Sequence, residues 1–173
     1  MSRPVAVLVG PPGSGKSTVG GLLAQRLGVR FRDTDRDIET ERGVPVADIF
    51  VDEGEEAFRR YEREAVARAL TEHDGVLALG GGAVLDPTTR EALVGHRVVF
   101  LSVGLADAAK RVGLARDRPV LMANPRALMS ALLEARRPLY DEVASVMVDT
   151  DGREPADITD EVARALSSLA ESR

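Results

Sequence analysis

The 173-residue sequence contains no cysteine and no tryptophan, and it has few aromatic residues of any kind. The absence of cysteine excludes a disulfide scaffold and any thiolate chemistry. No apolar run approaches the roughly 20 residues of a membrane-spanning helix, and the opening residues MSRPVAVLVG lack the pattern of a signal peptide. We therefore expect a cytoplasmic protein that has no membrane segment.

Positive charge is also scarce, because acidic residues outnumber basic residues and the net charge is −5. Nucleic-acid-binding domains are usually basic, so this balance argues against a nucleic-acid partner. Lys16 and Lys110 are the only lysines among 23 basic residues, and the others are arginine. A single arginine is therefore weak evidence for a binding site unless a motif accompanies it.

The two histidines, His73 and His96, do not belong to any recognisable metal-binding or catalytic motif, and we expect both at the surface.

The sequence does contain a regular alternation of strand and helix patterns. Apolar runs typical of strands buried on both faces occur at residues 5–9, 29–31, 76–79, 98–103 and 143–148. Helical patterns occur at residues 19–27, 53–72 and 158–169. With 44% hydrophobic residues, the chain can form one domain, residues 1–173, with its own core. The alternation predicts a three-layer α/β/α fold around a central, mainly five-stranded parallel sheet.

The segment GPPGSGKST, residues 10–18, follows the first predicted strand directly. Its Gly10, Gly15, Lys16 and Ser17 match the phosphate-binding pattern G-x-x-x-x-G-K-[ST] at every fixed position. Glycines let the backbone turn its N–H groups inward around phosphate oxygens at the start of a helix. The lysine reaches the β- and γ-phosphates, and the serine hydroxyl can bind Mg²⁺. This segment predicts a P-loop for a nucleoside triphosphate.

Other features narrow the class of P-loop protein. A GTPase would carry the guanine signature N-K-x-D, but the only asparagine, Asn124, is followed by proline. The runs at 76–79 and 98–103 do not end in the aspartate that a motor ATPase places on a neighbouring strand. A small kinase that phosphorylates a metabolite fits the chain length best.

Two carboxylates follow the short predicted strand at 29–31. Asp33 and Asp35 lie where ligands bind in open α/β sheets, beyond the carboxyl ends of the strands. Asp33 can hold a magnesium-bound water, and Asp35 can accept a hydrogen bond from a substrate hydroxyl and its proton during transfer. The alternative is that both residues form a solvated helix start, where carboxylates favour the helix dipole.

The segment LALGGGAV, residues 77–84, ends an apolar run in three consecutive glycines. Glycine costs roughly 0.5–1 kcal/mol relative to alanine in regular structure, so the triplet predicts a close approach of the backbone to a ligand. A flexible strand end is the alternative.

Further along, ARDRPVL at residues 115–121 is typical of a lid whose closure excludes water and brings an arginine to the phosphoryl group. A solvated loop is the alternative there.

Taken together, these segments resemble the shikimate kinase family, which belongs to the nucleoside monophosphate kinase-like P-loop group. The resemblance is carried, in order along the chain, by GPPGSGKST, DTD at 33–35, ADIF at 47–50, GEEAFRRYE at 54–62, LALGGGAV, RPVL at 118–121 and RRPLY at 136–140. It covers essentially the whole chain. It implies a P-loop kinase fold with a substrate-binding segment at about 33–62 and a mobile lid at about 112–124.

The resemblance also implies the activity, which is transfer of the γ-phosphoryl group of ATP to the 3-hydroxyl of shikimate in chorismate and aromatic amino acid biosynthesis. Mg²⁺ is the implied cofactor, and ATP and shikimate are the implied partners. The implied ATP-binding residues are Gly13, Ser14, Gly15, Lys16, Ser17, Thr18, Arg111, Arg118 and Arg153. The implied shikimate-binding residues are Asp35, Arg59, Gly80, Gly81, Gly82 and Arg136. The implied catalytic residues are Lys16, Asp35 and Arg118, and the implied metal residues are Ser17 and Asp33.

Several choices rest on motif register alone. Arg136 is preferred to Arg137 because of its spacing to Pro138, and Arg118 is preferred to Arg116 because proline follows it.

Two other functions remain as alternatives: a kinase for another small hydroxylated acid, such as gluconate, and a non-catalytic nucleotide sensor. We expect the protein to be monomeric.

Overall fold

The computed structural model describes residues 2–112 and 125–172, and its centre is a five-stranded parallel sheet. The strands are β1 (Ala6–Val9), β2 (Phe31–Asp33), β3 (Val76–Ala78), β4 (Val98–Ser102) and β5 (Val146–Asp149). Their order across the sheet is β2-β3-β1-β4-β5, and every neighbouring pair is parallel. The strand that leads into the P-loop therefore lies in the middle of the sheet.

Helices cover both faces of this sheet. They are α1 (Lys16–Leu27), α2 (Thr34–Arg42), α3 (Val46–Glu53), α4 (Glu55–Glu72), α5 (Pro87–Ala92), α6 (Leu105–Val112), α7 (Pro125–Val143) and α8 (Pro155–Glu171), with a short 3₁₀ helix at Ala83–Leu85. Among the described residues these eight α-helices and five strands alternate as the sequence predicts.

The central strand β1 shows how the two layers are made. Its four residues are all buried, and successive side chains point to opposite faces. Ala6 and Leu8 belong to one apolar cluster with residues of α1 and α8, such as Leu23 and Val162. The other residues of β1, Val7 and Val9, belong to a second cluster with residues of α4 and α7. The predicted three-layer α/β/α architecture with a five-stranded parallel sheet is confirmed.

The boundaries of some elements differ from the prediction. The second strand begins at Phe31 rather than at residue 29, and the last begins at Val146 because α7 continues through Val143, although Pro138 lies inside that helix. The long charged helix begins at residue 55, since Gly54 has a φ of 88° and separates α3 from α4. The predicted lid falls almost wholly in residues 113–124, outside the described residues.

The prediction that both histidines lie at the surface is wrong for His73. Its side chain is only 4% exposed, and Nε2 lies 3.0 Å from the carbonyl oxygen of Val76. His73 follows the last residue of α4, and the chain turns there directly into the buried strand β3, which covers the ring. His96 is half-buried.

No helix within residues 2–112 and 125–172 combines the length and the apolar character that crossing a membrane requires.

The fold brings the carboxyl ends of three neighbouring strands together. Because β1, β2 and β3 are parallel, the P-loop, Asp33 and the glycine triplet follow them at the same edge of the sheet.

Candidate active site

The P-loop connects β1 to α1 at the centre of this edge. Gly13 and Gly15 have φ values of 83° and 90°, in the left-handed region that glycine adopts without strain. The amino group of Lys16 donates hydrogen bonds to the carbonyl oxygens of Gly10, at 2.7 Å, and Pro11, at 3.1 Å. The positive charge thus lies against the loop, at the start of α1, where backbone N–H groups and the helix dipole favour an anion.

Ser17 and Asp33, the two predicted metal residues, are brought together across the gap between α1 and β2. The Ser17 hydroxyl donates to Oδ2 of Asp33 at 3.2 Å. The other carboxylate oxygen, Oδ1, accepts the backbone N–H of Asp35 at 2.9 Å and caps the start of α2. The cap explains why Asp33 points toward the P-loop with a fixed orientation.

The two arginines predicted near the adenine lie on the opposite side of the P-loop. Arg111 donates to the carbonyl oxygens of Gly13, at 3.1 Å, and Thr150, at 2.8 Å, and so connects the P-loop with the end of β5. Arg153 donates to the carbonyl oxygen of Asp149 at 2.8 Å and pairs with Glu161 at 2.9 Å. The predicted lid arginine, Arg118, and its competitor Arg116 lie outside the described residues.

The glycine triplet touches three parts of the site, one for each glycine. A Cβ atom on Gly80 would lie 2.6 Å from Oδ1 of Asp35 and 2.7 Å from Oε2 of Glu62. One on Gly81 would lie 2.7 Å from Cδ of Pro12 in the P-loop, and one on Gly82 would lie 2.4 Å from the Arg59 guanidinium. These distances are shorter than van der Waals contact, so a side chain at any of the three positions would displace a neighbour: side-chain ends at Gly80 and Gly82, and the Pro12 ring at Gly81.

Two carboxylates converge over Gly80. Burial raises the pKa of Asp35 to about 6, with Asp33 and Glu62 adding to the shift and Lys16 opposing it. Burial also raises the pKa of Glu62, against the opposing influence of Arg59 and Arg136. Oδ1 of Asp35 and Oε2 of Glu62 are buried and have no hydrogen-bond partner among the described residues. Buried polar oxygens normally have a hydrogen-bond partner, so these two mark a place where the described residues leave that requirement unmet.

Arginines approach the same place from two helices. Arg59 of α4 pairs with Glu62 at 2.7 Å, one helical turn away. Arg136 of α7 interacts electrostatically with both Glu62 and the hydroxyl of Tyr140. The neighbouring Arg137 points elsewhere, toward the sulfur of Met147 at 3.2 Å. The site therefore combines two guanidinium groups with two buried carboxylates beside a phosphate-binding loop.

Comparison with known proteins identifies the family. The family described as shikimate kinase matches residues 12–167. A shikimate kinase from Frankia casuarinae is 63% identical over 95% of this chain and 73% of its own length, and one from Salinispora arenicola is 60% identical over 95% and 99%. The chain belongs to the shikimate kinase family. The family and the enzyme class predicted from the sequence, an ATP-dependent phosphotransferase, are confirmed.

A solved structure agrees with this assignment to the shikimate kinase family. A shikimate kinase from Acinetobacter baumannii, solved in complex with shikimate, superposes on this chain with a TM-score of 0.91. It is 34% identical in sequence, and the match covers 98% of this chain and 95% of that one.

Two residues of this shikimate kinase family member were missed by the sequence reasoning. Glu62 is 2% exposed and Tyr140 is also 2% exposed, and both lie against the glycine triplet. A signal for each was available: Glu62 follows Arg59 by three residues, and Tyr140 follows Arg136 by four, which places each pair on one helix face.

Proposed function

We propose that the two halves of this sheet edge are the nucleotide and acceptor sites of a shikimate kinase, with the residue roles given below. The activity that family membership gives the chain is transfer of the γ-phosphoryl group of ATP to the 3-hydroxyl of shikimate, a step toward chorismate and the aromatic amino acids. The observation that carries the residue roles is the glycine triplet, because it contacts the P-loop through Gly81 and the acceptor groups through Gly80 and Gly82.

The acceptor side suits a small ring that bears a carboxylate and several hydroxyl groups. Arg59 and Arg136 bind the carboxylate, since a planar guanidinium pairs with a carboxylate through two hydrogen bonds. Asp35 accepts a hydrogen bond from the reacting hydroxyl and takes its proton as the phosphoryl group is transferred. A base whose pKa is about 6 is mostly ionised at neutral pH and so can accept that proton. The backbone of Gly80, Gly81 and Gly82 forms the floor of this site.

The nucleotide side binds ATP through the P-loop. The backbone and side chains of Gly13, Ser14, Gly15, Lys16, Ser17 and Thr18 surround the phosphates. Arg111 and Arg153 are assigned to the adenine, and Arg118, which lies outside the described residues, is assigned to the transferred phosphoryl group, where a guanidinium stabilises the charge that develops.

Ser17 and Asp33 fit a magnesium ion. Hydroxyl and carboxylate oxygens are the ligands that Mg²⁺ prefers, and these two lie 3.2 Å apart beside Lys16. The described residues contain no cluster of three or more histidine or acidic side chains for a metal, which agrees with an ion held by few protein groups and by the nucleotide. Bound there, Mg²⁺ would neutralise charge on the β- and γ-phosphates.

A coupled ADP-release assay tests the proposed function. We expect ADP release that requires ATP, Mg²⁺ and shikimate, with no comparable release when shikimate is omitted or replaced by gluconate. Equal release without an acceptor, or release with gluconate alone, would contradict the proposal. No release with any acceptor, together with tight ATP binding, would favour a nucleotide sensor instead.

The remaining expectations concern the state of the protein. We propose a cytoplasmic monomer that binds neither nucleic acid nor membranes, in keeping with its net charge of −5. Light scattering after gel filtration, with and without both substrates, checks the oligomeric state.

A further inference from the structure

The hydroxyl of Tyr140 reaches the centre of the glycine triplet from α7. The side chain is 2% exposed, and its ring stacks on Phe100 with a centroid distance of 4.9 Å and an interplanar angle of 27°. The hydroxyl donates a hydrogen bond to the carbonyl oxygen of Gly81. A buried tyrosine hydroxyl needs a partner, but packing alone does not require that partner to belong to the floor of the acceptor site.

The Arg136 guanidinium lies close enough to this hydroxyl to interact with it electrostatically. Arg136 precedes Tyr140 by one helical turn, so both side chains leave the same face of α7. A phenol has one donor and two acceptor lone pairs. With its donor used by Gly81, the hydroxyl can still accept from the Arg136 guanidinium. The hydroxyl therefore bonds the Gly81 backbone and keeps a lone pair available to the arginine.

We propose that Tyr140 is a positioning residue of the acceptor site, which holds the Gly81 carbonyl and the Arg136 guanidinium in one fixed arrangement. The inference rests on the proposed function of the triplet and of Arg136. Tyr140 itself does not touch the reacting atoms.

Peptide geometry explains what the hydrogen bond to Gly81 achieves. The peptide unit is planar and trans, so its carbonyl oxygen and the following N–H point in opposite directions. Fixing the oxygen of Gly81 therefore fixes the direction of the N–H of Gly82. Among the described residues, none accepts a hydrogen bond from the backbone N–H of Gly81 or Gly82. Glycine has the greatest backbone freedom of all residues, so a triplet that must present these N–H groups to a ligand needs an external anchor.

The hydroxyl stays a donor at working pH. Burial raises the pKa of the Tyr140 phenol, against the opposing effects of Arg136 and Arg59. The O–H is therefore retained at neutral pH, and the anchor on Gly81 does not depend on a proton equilibrium in that range.

The alternative is that Tyr140 only fills the core. Its ring belongs to the apolar cluster of β1, β3 and β4, which includes Val9 and Leu79. Phenylalanine would keep that packing and the stacking on Phe100 while removing the hydroxyl. The variant Tyr140→Phe therefore separates positioning from packing.

Steady-state kinetics of Tyr140→Phe test the proposal. We expect the KM for shikimate to rise roughly tenfold, which corresponds to the net free energy of one hydrogen bond. The KM for ATP should stay within twofold. Thr159→Val is the control, because it also removes one buried hydroxyl, which donates to the carbonyl oxygen of Pro155 at 2.7 Å within α8, away from the triplet. We expect this control to leave both KM values unchanged. Circular dichroism of each variant verifies the fold.

Two results would overturn the inference. An unchanged shikimate KM in Tyr140→Phe would leave the residue a packing element. An equal rise in the KM of both substrates would mark a general structural effect. Arg136→Ala is measured in parallel: a large loss of shikimate affinity there, with none in Tyr140→Phe, removes the positioning role and keeps the proposed role of Arg136, whereas no loss in either variant removes both roles.

Discussion

The nucleotide side and the acceptor side of the sheet edge are built in different ways. The proposed nucleotide side is one continuous segment, residues 10–18, whose Lys16 amino group donates to carbonyl oxygens of its own loop. The acceptor side is assembled from side chains of α2, α4 and α7 around three glycines that follow β3. The first arrangement depends on local backbone geometry, and the second depends on tertiary packing. Substitutions on the nucleotide side and on the acceptor side are therefore expected to have different effects.

The largest effect is expected at the nucleotide side, in Lys16→Ala. Loss of the ammonium removes stabilisation of the transferred charge, and one such preorganised group is worth about 100- to 1,000-fold in rate. We expect phosphoryl transfer to fall at least that far, as measured by coupled ADP release. Calorimetry should show unchanged shikimate binding, because the acceptor groups are untouched. Turnover at the wild-type rate would refute the role of Lys16.

The second effect concerns chemistry on the acceptor side, in Asp35→Asn. The amide keeps the shape of the side chain but cannot take the proton, and general-base catalysis contributes about 100- to 10,000-fold. We expect a loss of kcat within that range. In the wild type, kcat/KM for shikimate should rise with pH through about 6, because Asp35 must be ionised to act. A wild-type profile that is flat from pH 5 to 7 would contradict the assignment.

The third effect separates acceptor binding from nucleotide binding, in Arg136→Ala. A charge-assisted hydrogen-bonded pair is worth about 1.5–3 kcal/mol, so we expect shikimate to bind about 10- to 150-fold more weakly while ATP binding is unchanged. Arg137→Ala is the matched control, since its guanidinium points toward Met147. Comparable losses of both ligands in calorimetry would count against the carboxylate role.

The fourth effect examines the boundary between the two sides, in alanine variants of the triplet. A methyl group on Gly82 meets Arg59, whereas one on Gly81 meets Pro12 of the P-loop. We expect Gly82→Ala to weaken shikimate alone, by roughly tenfold, and Gly81→Ala to raise the KM of both substrates. Gly21→Ala is the control, because nothing lies within 4 Å of the added atom. Untouched shikimate affinity in both triplet variants would make the segment a simple turn.

The same contrast explains how much could be predicted from the sequence. The P-loop is a spacing pattern within one segment, and the parallel sheet follows from buried strand runs, so both could be predicted from local sequence. On the acceptor side, Asp35 and the glycine triplet could be inferred from their places after strands, whereas Arg59 and Arg136 could be predicted only through family resemblance, because they lie far apart in the chain. The burial of Glu62 and His73 depends on which elements cover them, and local pattern does not carry that information.

The carboxylate pair over Gly80 has a consequence for the folding equilibrium of the whole chain. The pKa of Asp35 is raised from 3.8 to about 6 in the folded protein. Between these values the folded state keeps a proton that the unfolded chain has released, so this group's contribution to stability is present below about pH 4 and is lost as pH rises through about 6. The loss amounts to roughly 1–3 kcal/mol.

Urea unfolding at pH 4.5 and pH 7 measures this loss directly. We expect Asp35→Asn, which carries no charge at either pH, to be more stable than the wild type at pH 7 and to show a smaller change between the two conditions. Equal pH dependence in both proteins would show that Asp35 does not carry the effect. The carboxylate that we propose as the base thus lowers the thermodynamic stability of the folded chain at the pH where it is ionised.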